Sequence, residues 1–293
     1  MTRPTLTLKL IGGLGNQLFA YATAKALALH NDARLVLDGY SGYRRDAFGR
    51  QFELNHFQIS DEIHPARHPF GHEAVERVFI EINRMLPRNH RRYFLEKLPP
   101  RTLKHQFQPG LRDLRLRHNA TLQGNFTSPR YFDDHACAIR QALQLRQPPC
   151  APALLDLARR LSAENSVAVH FRLDRGKGPS NLQRLSARYY ERAFEKLTRD
   201  LVAPQWFCFA DAPERIDEFM VLPPGATLVS GHSAPIDLWL MQQCRHAVIS
   251  ASTFAWWGAW LGEKPGQRVL CPSVAEHWDN LDVYPDSWEI IPS

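Results

Sequence analysis

The chain has 293 residues, 44% of them hydrophobic and 23% charged, with a formal net charge of +6 and a pI of about 9.2. That balance excludes a disordered or fibrous chain, and the length favours two domains of about 150 residues over one. The longest uncharged stretch, 247–262, carries Ser250, Ser252 and Thr253 and falls short of the about 20 apolar residues that a membrane span needs, so it reads as a buried segment.

The opening MTRPTLTLKLIGG has no cationic region, long apolar core or small-residue cleavage site, so no secretory signal is expected. Five cysteines (Cys137, Cys150, Cys208, Cys244 and Cys271) are widely spaced, with no CxxC pair. Reduced thiols in a cytoplasmic chain follow, rather than a zinc site or a disulfide framework. The basic balance suits either plain solubility or an anionic partner: a nucleotide-sugar, a polyanionic glycan, a phospholipid surface or a nucleic acid.

In chain order, Thr5 to Ile11 alternates as a strand and Gly12 to Gly15 break it. Gln17 to His30 has the spacing of a helix, and Arg34 to Leu37 is a second strand ending at Asp38-Gly39. Strand, glycine turn, helix and strand open a parallel α/β sheet. From Ser41 to Arg117 the pattern is irregular, with a basic stretch at Arg84, Arg88, Arg91 and Arg92 that is either a solvated insertion or a contact for a glycan or a membrane surface.

Pro148, Pro149 and Pro152 mark a linker, which divides the chain into 1–150 and 151–293. The α/β rhythm then restarts. Helices are expected over Ala151–Ala163, Ala187–Thr198, Ile236–Cys244 and Phe254–Leu261, and strands over Ser166–Arg172, Trp206–Ala210 and His246–Ser250. The expected architecture is two nucleotide-binding, Rossmann-like α/β halves facing a cleft.

Open α/β sheets bind ligands in the loops that follow their strands, and three such loops stand out. In the first, Gly12 to Gln17 with Asp38 on the next strand imitates a dinucleotide fingerprint, which keeps an NAD-dependent oxidoreductase as an alternative. The third glycine of that fingerprint is replaced by Leu18. Asn16 and Gln17 set two amides at a helix start, to cap it or to meet an anion. In the second, Arg172 ends a buried strand and needs either an acidic partner, Asp174 or Asp211, or a diphosphate that its guanidinium can fork. Residue types alone make His170 a structural histidine. In the third, Ser252 and Thr253 open a helix, where hydroxyls and amides converge on a phosphate. No Asp-x-Asp is placed to carry a metal and no Walker motif is present, so the phosphate charge would fall to Arg172 and helix termini.

These pieces resemble the bacterial α-1,2-fucosyltransferases of glycosyltransferase family 11. The likeness runs through GGLGNQLFAYATAKALA, LVLDGY, FELNHFQI, GNFTSPRYF, VAVHFR, ARYYERA, CFADAPE and DLWLMQQCRHAVISASTFAWWGAWL, in family order over about residues 8 to 262. The resemblance implies a GT-B-like fold, a GDP-fucose donor, inversion at the anomeric carbon, no metal and no cofactor. It also implies an oligosaccharide or lipid-linked glycan acceptor on the side of 1–150, GDP-sugar binding by 151–293 and no nucleic acid. By resemblance, His170 and Asp237 hold the guanosine and Arg172 grips the β-phosphate. Ser252, Thr253 and Phe254 line the donor phosphate pocket, while Gly15, Asn16 and Gln17 lie at the sugar and diphosphate. Asp38 is a candidate base, set against a turn hydrogen bond. Two departures stand out: the family's His-x-Arg-Arg-x-Asp here reads His170-Phe-Arg172-Leu173-Asp174-Arg175, and GNF replaces a glycine followed by an aromatic.

Overall fold

In the computed structural model, described over residues 3–64, 69–96, 106–173, 185–274, 278, 280 and 282–292, the chain divides into Met1–Arg146 and Gln147–Ser293. The first unit holds strands β1 (Thr5–Lys9), β2 (Arg34–Asp38), β3 (Glu62–Ile63), β4 (Tyr93–Leu95) and β5 (Ala120–Gln123). They form a parallel sheet in the order β3-β2-β1-β5-β4. Its helices are α1 (Leu14–His30), α2 (Glu73–Met85), the short α3 (Pro109–Arg112) and α4 (Ala136–Ala142).

The second unit holds β6 (Ser166–Phe171), β7 (Gln205–Ala210), β8 (Thr227–Val229), β9 (His246–Val248), β10 (Val269–Pro272) and β11 (Glu289–Ile291). This sheet is also parallel, in the order β11-β10-β9-β6-β7-β8. Around it lie α5 (Pro152–Leu161), α6 (Ala187–Asp200), the short α7 (Ile216–Phe219), α8 (Ala234–Gln243) and α9 (Thr253–Leu261).

The sequence of β6 explains why it is central. All six residues of SVAVHF are buried, as a parallel strand covered on both faces requires. Val167, Val169 and Phe171 pack on one face with Tyr189, Tyr190, Ala193 and Leu197 of α6. Ala168 points to the other face, against Leu240 and Met241 of α8 and Ala255 and Ala259 of α9. Proline at the first turn starts α5 and α8, where its missing N–H costs nothing. In α9, Trp256, Trp257 and Trp260 are packed ring to ring, and Trp256 Nε1 donates to Val283 O at 2.7 Å. The tryptophans therefore belong to the core and set the height of the α9 start.

The stretch 41–117, expected to be irregular, contributes β3, α2, β4 and the short α3. Lys9, Glu76, Tyr93 and Gln123 tie α2 to the sheet by polar contacts, which no apolar run announces. Among the described residues no helix is long and apolar enough to cross a membrane.

Candidate functional site

The order of the second sheet creates the setting. From β6 the chain proceeds outward through β7 to β8, then returns to the other side of β6 with β9 and continues to β10 and β11. The loops after β6 and β9 therefore leave in opposite directions, which opens a crevice at the carboxyl ends of these neighbours. His170 and Ser250 meet at this junction, with Nδ1 2.8 Å from Oγ, and both are buried. Burial, reinforced by the charge of Arg172, lowers the pKa of His170 from 6.5 to about 3, so the imidazole is neutral at neutral pH. Its ring lies 5.7 Å from that of Phe254, and the Tyr190 hydroxyl donates to its carbonyl at 3.1 Å.

One step beyond β6, Arg172 Nε stands 3.2 Å from Asp211 Oδ2, at the end of the adjacent β7. Asp211 Oδ1 accepts from the Leu173 N–H at 2.7 Å, so one carboxylate fixes both the loop and the guanidinium. The Arg172 side chain remains 43% exposed. The pairing with Asp211 is the one weighed from the sequence, while Asp174 and Arg175 lie outside the described residues. Arg215 Nη1 donates to the Leu173 carbonyl at 3.1 Å and braces the same loop.

After β9, Ser252 is the N-cap of α9, and its side chain makes no capping hydrogen bond. Ser252 is buried, and Thr253 and Phe254 are half-buried at the first turn. The α9 start thus presents peptide N–H groups beside Ser250 and His170, a setting that favours an anion. Asp237 lies in the first turn of α8, with Oδ1 3.2 Å from Nδ1 of His232. Burial raises its carboxyl from 3.8 to about 6, against an opposing pull from His232.

In the first unit, the glycine turn sits where that sheet reverses, between β1 and β5. Its left-handed residue is Gly12, with φ +81°, and a Cβ there would come within 2.8 Å of Asn16 Nδ2. Gly15 lies in the first turn of α1. Gln17 is fully buried, donating to Gly12 O at 3.1 Å and Gln51 O at 2.7 Å and accepting from the Glu53 N–H at 2.9 Å, so its amide ties the turn to the 51–53 segment.

Asn16 is half-buried, and no side chain caps α1 at its N-cap residue. The α1 start is nonetheless less anion-ready than the sequence suggests, because the Glu53 carboxylate accepts the Leu14 N–H. Asp38 is buried, and its oxygens accept from Tyr40 N at 3.1 Å, Ser41 N at 2.9 Å and Ser41 Oγ at 2.5 Å. This arrangement is the turn hydrogen bond set against a base role for Asp38.

Sequence reasoning passed over His232, Tyr190 and Glu53. Each acts through a fold-dependent partner: His232 on Asp237, Tyr190 on the His170 carbonyl and Glu53 on the α1 start. No local motif encodes these pairings.

Residues 163–290 match the family described as Glycosyl transferase family 11. That segment contains His170, Arg172, Asp211, Asp237 and Ser250 to Phe254. An Escherichia coli alpha-1,2-colitosyltransferase is 25% identical, covering 96% of this chain and 96% of that protein. The O-antigen biosynthesis glycosyltransferase WbnK of Escherichia coli is 27% identical, covering 90% and 92%. Among solved structures, an Arabidopsis thaliana FUT1 mutant in complex with GDP aligns with a TM-score of 0.51 at 13% identity, covering 98% of this chain and 76% of that one. This likeness concerns the fold, and it makes the two parallel α/β units GT-B-like.

Proposed function

We propose, on the premise that the chain belongs to glycosyl transferase family 11, that this nucleotide-sugar glycosyltransferase takes L-fucose from GDP-β-L-fucose and moves it, with inversion, to a glycan hydroxyl. The acceptor proposed is the 2-OH of a galactoside. The observation that carries the reading is the junction of β6 and β9. There a neutral buried His170, a guanidinium and the start of α9, whose N-cap side chain makes no capping bond, share one strand-end crevice.

In the proposed reaction the acceptor hydroxyl attacks C1 of the sugar as the C1–O bond to GDP breaks. Positive charge grows on the ring and negative charge on the β-phosphate. Arg172, braced by Asp211, and the N–H groups of Thr253 and Phe254 are the groups assigned to that phosphate. Fixed donors aimed at developing charge are usually the largest single catalytic contribution. These groups stabilise the leaving group without a metal or a cofactor.

His170 and Asp237 are assigned to the guanosine. A carboxylate suits guanine, whose N1–H and N2–H₂ present adjacent donors. A neutral histidine of fixed orientation supplies hydrogen bonding without adding charge. Asn16 is assigned to the sugar and diphosphate, Gly15 to their close approach, and Gln17 to holding the turn that presents them. The proton of the acceptor passes to the departing phosphate or to water, since Asp38 is engaged by its own turn.

A second reading has a specific observation in its favour: the relative matched over 96% of this chain transfers colitose, another deoxysugar. A donor screen separates the two. GDP-fucose and other GDP-deoxysugars are offered with a β-galactoside and the product is weighed by mass spectrometry. A mass increase of one deoxyhexose with GDP-fucose supports the first reading, and product only with a dideoxyhexose donor supports the second.

A further inference from the structure

Helix α2 carries its polarity inside out. Its buried positions include Glu76 and Asn83. Glu76 accepts from Lys9 Nζ at 2.5 Å and from the Tyr93 hydroxyl at 2.7 Å. Asn83 Nδ2 donates to Tyr93 O at 2.7 Å, and its Oδ1 accepts from the N–H groups of Arg92 and Tyr93. These bonds fix which face of α2 meets the sheet.

The opposite face is apolar. Val75, Val78, Ile82 and Met85 are 54%, 60%, 55% and 86% exposed. They recur at intervals of three and four residues, so they form one stripe along the helix. Rotating the stripe inward would break the Glu76 and Asn83 bonds, so the fold holds it toward solvent. Leu86 extends it past the helix end.

At that end the surface becomes strongly basic. Arg91 Nε donates to Leu86 O at 2.9 Å, which places its guanidinium directly beside the stripe. Arg88, Arg91, Arg115, Arg117, His118 and Phe94 line a cavity of about 270 Å³. Nearby, Arg84 is paired with Glu81, Arg88 donates to Gly110 O and Arg115 to His30 O. Four arginines with an apolar floor suit a phosphate whose neighbour is hydrocarbon.

We propose that the α2 stripe and its arginine-lined cavity seat the N-terminal unit on an anionic lipid bilayer. The stripe enters the acyl boundary and the cavity takes a lipid phosphate. An apolar face edged by arginine matches the polarity gradient of such a membrane interface. The inference goes beyond the donor reading and does not depend on it.

The test is co-sedimentation of the full chain with vesicles of phosphatidylcholine alone or mixed with phosphatidylglycerol. The chain binds the anionic vesicles on the order of tenfold more tightly, and added salt weakens that binding. Val78→Glu/Ile82→Glu and Arg115→Glu/Arg117→Glu each reduce it by about tenfold. For the first variant, transfer to a soluble acceptor and the urea midpoint stay at parental values, because both positions face solvent. Three results overturn the proposal: no binding by the parent, equal binding by the Val78→Glu/Ile82→Glu variant, or a parental dimer in light scattering that this variant turns into a monomer without any vesicle binding. None of them touches the donor reading, which the mass of the transferred sugar decides.

Discussion

His170 Nδ1 and Ser250 Oγ, 80 positions apart in the chain, are 2.8 Å apart at the junction of β6 and β9. The bond locks the orientation of a neutral imidazole at the point where the sheet reverses direction. Ser250→Ala strips that nitrogen of its buried partner, which costs about 1–3 kcal/mol. The expected outcome is a lower urea midpoint together with weaker GDP binding by calorimetry. An alanine variant with unchanged stability and unchanged GDP affinity would separate this pair from the site.

Asp237 gives the site a pH signature. Its folded pKa is raised from 3.8 to about 6 by burial, with His232 opposing. For a raised carboxyl, the contribution to stability is fully present below 3.8 and is lost as pH rises through 6. Guanine recognition runs the other way, because it needs the ionised form. GDP affinity should therefore fall as pH drops through 6 while the stability contribution of this group grows. Asp237→Asn should flatten both trends, as read by calorimetry and urea titration at matched pH. A parental GDP affinity that is flat between pH 5 and 7.5 would remove Asp237 from the guanosine contact.

The second unit was largely legible because its central strands are continuous apolar runs, SVAVHF and QWFCFA, flanked by helices of clear period. β8, β9 and β11 have only three residues each, and of these only β9 lay in a longer apolar run. α2 escaped notice for a different reason: it buries Glu76 and Asn83 against the sheet and exposes Val75, Val78, Ile82 and Met85, so part of its apolar period marks solvent and not core. At the site, Arg172 and Ser252 were legible as strand-end and helix-start residues. The bonds of Gln17 were not legible, because its partners Gln51 and Glu53 lie 34 and 36 positions away and only the fold brings them back.

Gln17 and Asn16 give a paired test in the first loop. Gln17→Ala leaves Gly12 O, Gln51 O and the Glu53 N–H without their buried partner and should cost about 2–3 kcal/mol, seen in Tm. Gly12→Ala, at φ +81°, should cost about 1–2 kcal/mol. Asn16→Ala should leave Tm unchanged and lower kcat/KM. A loss of Tm with intact kcat/KM for Asn16→Ala would make that amide structural.

Asp38 separates a base from a turn. Asn at this position keeps an acceptor oxygen for the Tyr40 and Ser41 N–H groups but cannot take a proton at neutral pH. The account predicts a folded Asp38→Asn protein with kcat within about threefold of the parent, while Asp38→Ala is destabilised by about 1–3 kcal/mol. A well-folded Asp38→Asn protein slowed by about a hundredfold or more would assign it the base role after all.

The central claim is that Arg172 holds the phosphate that gains charge as the sugar leaves. Its Nε is braced by Asp211 at 3.2 Å, and the side chain is 43% exposed. Such a contact matters more in the transition state than in the ground state, so its loss appears in kcat more than in GDP affinity. The deciding measurement is kcat and GDP affinity for Arg172→Ala and Arg172→Lys, with the fold checked by circular dichroism. The account predicts a loss in kcat of about 10²–10³ for the alanine variant. The lysine variant recovers only part of it, because an ammonium cannot reproduce the guanidinium fork. A folded Arg172→Ala enzyme whose kcat stays within about threefold of the parent would contradict the account, since the leaving phosphate would then be held elsewhere.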